Sequence, residues 1–366
     1  MEQNALARAI LTEYRLHPGL ELVDLAKLLY QCVFGCGHIV SDPRACLDRL
    51  RTETAAVRGT PGEHGFQPLA GGFARLHLRG LEQDGLTPET VSAMFMQSAS
   101  GHTLRNTAAF LESLDLLHAC CADGVLPFSP GDVDLLRQRC IESDFAPLRH
   151  SERYRTLYRP AYRLLRLCYC RFLPLFTAVD RLLARQPRVI LAIDGCAGAG
   201  KSTLAQLLAG VYDANIFHAD DYFLRPEQRT AVRLAEPGGN LDRERFAGEV
   251  LAGLASGGTF FCRRFDCATG RLLAPVCRQP KPLEIVEGCY STHPLFGSPY
   301  DLTVFLAVSP ELQRRRLSAR SDPDLFLRFV HEWIPMERHY FETFEIRQRC
   351  TLAFNTDDAG WQDTLC

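Results

Sequence analysis

Gly195, Gly200, Lys201 and Ser202 stand at the spacing G-x-x-x-x-G-K-[ST] within VILAIDGCAGAGKSTLAQLL. Glycines let a backbone curl so that successive N–H groups point inward at an anion, and a following helix adds the positive end of its dipole. A lysine at 201 sets a charge against the outer phosphates of a nucleotide, and the Ser202 hydroxyl suits a magnesium ion. A chance glycine turn beside a surface lysine is the plain alternative, but an apolar strand leads in and a helix leads out. The cradle is therefore assigned to Gly195, Cys196, Ala197, Gly198, Ala199, Gly200, Lys201, Ser202 and Thr203, with ATP and Mg2+ as expected occupants.

Chemistry beyond a grip needs a group at the reacting oxygen. In NIFHADDYFLRPEQ a strand should end near His218 and deliver Asp220 and Asp221 to the carboxyl edge of a sheet, where ligands of open α/β sheets bind. A carboxylate there can orient an acceptor hydroxyl and take its proton during phosphoryl transfer. A pair that only caps a turn is the alternative. SPELQRRRLSAR sets Arg316 and Arg320 four apart on one helical face, beside Arg314 and Arg315. Such guanidinium groups close over a nucleotide and offset charge on the moving phosphoryl group, or else form a solvated basic face; behind the strand DLTVFLAV the first reading is favoured. The chain lacks N-K-x-D, L-S-G-G-Q and an apolar strand ending in D-E. Those absences point away from guanine switches, transporter ATPases and motors, and toward a small-molecule kinase.

Residues 188–356 resemble the superfamily of P-loop kinases that includes uridine kinase, phosphoribulokinase and nicotinamide riboside kinase, and within it a bacterial uridine-kinase-like branch. IDGCAGAGKST, ADDYF, IVEG and LQRRRLSAR carry the resemblance, in that order. It implies transfer of the ATP γ-phosphoryl group to a hydroxyl of a nucleoside or related metabolite. The alternatives are a kinase for another small alcohol or a sugar phosphate or, from a different class, an ATP-binding sensor whose helical half binds nucleic acid or a protein partner. The resemblance makes Asp220 the acceptor-activating carboxylate, Glu287 the partner of Ser202 in holding magnesium, and Arg316 and Arg320 the lid. Asp242, in EPGGNLDRERF, falls where related enzymes read sugar hydroxyls; a helix cap explains it equally well. Tyr222 and Phe265 are placed on the acceptor side. RRFDCATGRL departs from uridine-phosphorylating relatives, which carry a tyrosine and a histidine near Phe265 and Cys267, so uridine is left open. Tyr290 and His293 either touch substrate or pack their loop, and packing is favoured.

These residues need a scaffold. From Arg188 the pattern runs strand (RVILAID), glycine turn, helix (TLAQLLAGVY), strand (NIFHAD), with LEIVEG and DLTVFLAV as further buried strands. Alternation of that kind predicts an α/β fold, a parallel sheet flanked by helices. The boundary falls near 180–187, giving domains 1–180 and 181–366. The first reads as mostly α-helical: GLELVDLAKLLYQCVF, TPETVSAMFMQSA and TAAFLESLDLLHACCADG all show helical spacing. HSERYRTLYRPAYRLLRL reads as an amphipathic helix packing the halves together, in preference to a nucleic-acid surface. Cys32, Cys36, His38 and Cys46 invite a metal, but no second C-x2-C pair exists, so buried thiols are favoured. His38, His102, His150 and Glu152 follow no spacing rule for a second active site.

Composition agrees with an ordinary soluble globular protein. The 366 residues are 46% hydrophobic and 23% charged, with a formal net charge of −2, which gives no general attraction to nucleic acid or anionic membrane. Fifteen cysteines, an odd number without an apolar leader at the amino end, suggest reduced thiols in a cytoplasm. LLRLCYCRFLPLFTAV is too short and too charged to span a bilayer. The expected partner is a small-molecule acceptor, with homo-oligomerisation left open.

Overall fold

The computed structural model describes residues 3–36, 42–57, 59, 65–100, 106–266 and 269–357; His38, His102 and Cys267 lie outside them. Contacts divide the chain into two compact units, Met1–Thr177 and Ala178–Cys366.

The first unit is mostly helical. Helix Leu22–Phe34 buries Leu25, Leu28, Leu29 and Cys32, the i, i+3, i+4, i+7 stripe that its sequence carries. Helix Pro88–Ser100 begins where the Thr87 hydroxyl accepts from the Thr90 N–H at 3.2 Å, with proline at its first position. One stretch departs from the helical expectation. HSERYRTLYRPAYRLLRL is helical only over Glu152–Tyr158 and then runs as strand Tyr162–Arg166. Pro160 is the cause: it removes a helical donor and disfavours the helical conformation at Arg159, which sits at φ +44°. Strands β1 (Phe66–Pro68), β2 (Phe73–His77) and β3 (Tyr162–Arg166) form an antiparallel sheet in that order, with Phe73 opposite Arg166. The small sheet brings Arg75 into the interior, where 1% of it is exposed.

The second unit is built on a parallel sheet. Its strands are β4 (Val189–Gly195) and β5 (Ala214–His218), then two short antiparallel pairs, β6 (Phe260–Cys262) with β9 (Val276–Arg278) and β7 (Phe265–Asp266) with β8 (Arg271–Leu272). β10 (Leu283–Glu287), β11 (Leu302–Ala307) and β12 (Leu352–Asn355) complete it. The sheet order is β12-β11-β4-β10-β5, every pairing parallel. Leu191, Ala192, Ile193 and Asp194, successive residues of the central strand that point to alternate faces, are all fully buried, as a strand covered on both faces requires. The chain leaves β4 for the far edge at β5, returns beside β4 as β10, then crosses to the other side as β11. Strand order therefore reverses at β4, and the crevice beyond its carboxyl end is where such sheets bind ligands. No helix among the described residues is long and apolar enough to cross a membrane.

Candidate active site

β4 runs out at Gly195 and the chain loops to Gly200, where helix Lys201–Ala209 begins. Gly195 has φ +138°, and a Cβ there would stand 2.2 Å from the Leu306 carbonyl oxygen of β11. Only glycine lets the loop leave the sheet so close to its neighbour. The loop is anchored below by Asp194. Its buried carboxylate accepts from the Gly195 N–H and the Thr292 hydroxyl at 2.7 Å each, the Tyr340 hydroxyl at 2.9 Å, and the N–H groups of Thr292 and Tyr290 at 3.0 and 3.2 Å. Burial pushes the Asp194 carboxyl above its ordinary value against these bonds. Nothing in the sequence pattern marks this residue, because all its donors but the Gly195 N–H arrive from segments 96 or more positions later.

A cavity of 480 Å³ opens at this edge, lined by Lys201, Ser202, Asp220, Glu287, Arg320 and Glu337 among others. Ala197, Gly198, Gly200 and Thr203 also line it, whereas Gly195, Cys196 and Ala199 do not. Lys201 Nζ turns back onto the carbonyls of Gly195 and Cys196, at 2.9 and 3.1 Å. Burial opposes its charge, but the acidic groups around it, Cys289, Glu337, Asp220 and Glu287, hold its pKa above the ordinary value. The Ser202 hydroxyl donates to Glu287 at 2.9 Å, so the two oxygens stand side by side. His218, at the end of β5, bonds the same carboxylate through Nδ1, and that bond raises its pKa.

Asp220 sits in the short turn Ala219–Tyr222 that follows β5. Its carboxylate makes no hydrogen bond among the described residues, while Asp221 beside it is paired with Arg264 at 3.0 Å. Solvent reaches Asp220 in the cleft, and protein atoms of the cleft walls stand around it. The crowding pushes its carboxyl upward, Glu287 and Asp221 add to the push, and Lys201 and His218 pull the other way. Glu337, on helix Ile334–Phe344, accepts from the Ala197 N–H at 3.0 Å. Burial lifts it to about 7 in spite of Lys201.

Not every residue singled out from sequence reaches the cavity. Arg320 lines it, with its guanidinium 5.9 Å above the Phe329 ring. Arg316 instead donates to the Gly198 carbonyl at 3.1 Å and the Thr356 carbonyl at 2.7 Å, bracing the loop from behind. Asp242 is 2% exposed and does not line the cavity: it caps the next helix, accepting from the Arg245 N–H at 3.1 Å, and accepts from the Gln228 amide. Tyr222 is buried against Phe246 with the Arg245 guanidinium 4.0 Å above its ring, and Phe265 is buried in β7. An aromatic ring buries a large apolar area, so it is more readily absorbed by the core than left facing a ligand, and that is the fate of both. His293 packs flat against Tyr340 and bonds the Pro237 carbonyl; Tyr290 is buried and also lines the cavity.

Glu337, Arg229, Arg328 and Trp333 line the cavity and carry no sequence signal as site residues. Arg328 lies 4.7 Å above the Trp333 ring, on the helix and π turn after the arginine-rich helix Pro310–Arg320. Trp333 belongs to the π turn Phe329–Trp333, a distortion common at functional sites.

Ser202 and Glu287 fit a magnesium ion in donor type: a hydroxyl and a carboxylate on one side, with other positions left to water and phosphate oxygens. No cluster of three or more His, Cys, Asp or Glu suited to a metal occurs among the described residues. Cys32 and Cys36 are buried thiols, each pushed up to about 12 by that burial, and so behave as packing groups.

No family model matches the chain, and no curated protein matches it. Solved structures do resemble about half of it. One is a possible uridine kinase from Bacillus stearothermophilus, with 21% identity over 50% of this chain and 99% of that one, at a TM-score of 0.37. Another is a shikimate kinase from Bacteroides thetaiotaomicron, with 17% identity over 48% of this chain and 93% of that one, at a TM-score of 0.28. At such identities and scores the chemistry has to be drawn from this chain's own residues.

Proposed function

We propose that the second unit is an ATP-dependent phosphotransferase whose acceptor is a hydroxyl of a small metabolite, with a nucleoside as the first acceptor to try. One juxtaposition supports it: the Asp220 carboxylate, without a hydrogen-bond partner among the described residues, faces the same cavity as Lys201 and the Ser202–Glu287 pair. In this reading the loop amides and Lys201 hold the phosphates, Lys201 exchanging its two carbonyl partners for phosphate oxygens. Asp220 accepts the hydroxyl proton of the acceptor as its oxygen bonds to the γ-phosphorus and the bond to ADP breaks. Arg320 offsets charge on the transferring group, and the rings of Phe329 and Trp333 exclude water. Magnesium, when bound at Ser202 and Glu287, supplies charge neutralisation.

Arg229 favours a second acceptor class. It lines the same cavity and has no ion pair among the described residues, so an acceptor that already carries an anionic group, such as a sugar phosphate, would find a cation there. The free, reduced cysteines of the described chain fit a cytoplasmic setting.

The test is a panel of nucleosides, vitamin precursors and sugar phosphates incubated with the full chain, ATP and magnesium. Release of ADP matched one for one by a phosphorylated acceptor is expected. ADP release that ignores every acceptor, or none at all with ATP bound, would remove the phosphotransferase reading.

A further inference from the structure

The first unit contains a cavity of 230 Å³ whose walls carry Arg75, Arg79, Arg159, His17 and His77. No carboxylate lines it among the described residues. Glu13, which answers the charge of Arg75, is already engaged: it accepts from Arg75 Nη1 at 2.7 Å, from the Gln67 amide at 2.9 Å and from the Tyr154 hydroxyl at 3.2 Å. Arg79 and Arg159 have no ion pair among the described residues. Arg75 is 1% exposed, and its Nη2 has no hydrogen-bond partner although Nε and Nη1 are bonded to Gln31, Glu13 and Gln67. A buried guanidinium nitrogen left without an acceptor costs free energy unless something supplies one.

We propose that this cavity is a binding site for a small oxyanion, a phosphate or carboxylate group, which would be taken up between Arg75, Arg79 and Arg159. The reasons are chemical. Guanidinium groups match the planar, paired oxygens of carboxylate and phosphate, and three of them converge here with only one answered by a protein acid. The volume suits the charged end of a metabolite, not a whole nucleotide. His77 agrees with a positive surrounding: burial, then the nearby charges of Arg75 and His17, hold its pKa below the ordinary value. The titratable groups that share the cavity with it are His17 just past the first helix, Arg75 and Arg79 around β2, Tyr154, Tyr158 and Arg159 on and after Glu152–Tyr158, and Tyr162 of β3. An anion bound among them would raise that pKa. This site is independent of the proposed phosphotransferase, since every residue of it belongs to the first unit.

The experiment uses the full chain carrying Lys201→Ala, so that the other unit's phosphate loop is weakened. Inorganic phosphate and malonate are titrated separately at constant ionic strength, and the His77 ring resonances are followed, assigned by loss in His77→Gln. Saturable shifts and an upward His77 pKa are expected with at least one anion; which one acts identifies the ligand class, and both acting indicates recognition of the shared oxyanion. Arg79→Gln with Arg159→Gln, both on exposed side chains, should weaken the response by roughly tenfold or more. Resonances unmoved by either anion, or an unchanged affinity in the double variant, would overturn the site.

Discussion

Asp24 in the first unit has its carboxylate filled by protein donors, whereas Asp220 at the edge of the parallel sheet has none among the described residues. The Asp24 oxygens lie 2.9 Å from His150 Nδ1 and accept from the Ser151 N–H, the Ser151 hydroxyl and the Glu21 N–H at 2.9, 2.7 and 2.9 Å. Those bonds overcome burial and hold Asp24 below its ordinary value, as Arg75 and its neighbours do for Glu13. Asp220 is pushed the other way. A carboxylate whose lone pairs are all used fixes a fold; one whose lone pairs are left open is available to a ligand. The same contrast separates Asp194 from Asp220 within one sheet edge.

The comparison can be broken by removing charge from each side. Arg75→Leu leaves Glu13 buried without its cation, and should cost the first unit about 3–5 kcal/mol in denaturant unfolding. A loss under 1 kcal/mol would mean that the network is not structural. Lys201→Ala should lower turnover by about 10²–10³-fold and weaken nucleotide binding, measured by ADP release and by titration of ATP. Melting unchanged within a degree or two would keep that effect in the site.

Asp242 sharpens the contrast because it was open to both roles. As a cap, Asp242→Ala should destabilise the second unit by about 0.5–2 kcal/mol and leave the KM for the acceptor as it was. A raised KM with unchanged stability would return it to the acceptor side. The smallest effect is on pH dependence. Glu337 titrates near 7 when folded, above its ordinary 4.5, so the folded chain holds that proton more tightly. The resulting stabilisation is complete below about 4.5 and is lost as pH rises through about 7. Glu337→Gln, which keeps an acceptor for the Ala197 N–H, should flatten the fall in Tm across that window.

Much of the second unit was legible because its signals are local. The G-x-x-x-x-G-K-[ST] spacing fixes strand, loop and helix within twenty residues, and the apolar run before His218 places Asp220 at a strand end. Glu337 and Asp194 were not legible, since each acquires its role from partners as far as 140 and 146 positions away. Arg316 and Arg320 share a helical face in sequence, yet one faces the cavity and the other braces Gly198 and Thr356. A periodicity says which side of a helix a residue occupies, not which of two neighbours it will reach. In the first unit, Pro160 carried the signal that divides helix from strand, and the amphipathic pattern around it was the weaker guide.

The central claim is that Asp220 is the open carboxylate on which phosphoryl transfer depends, and the direct measurement is turnover and ATP affinity of Asp220→Asn side by side. Turnover should fall by about 10²–10⁴-fold while the ATP dissociation constant stays within a small factor of the parent. Unchanged turnover with a working acceptor would contradict it.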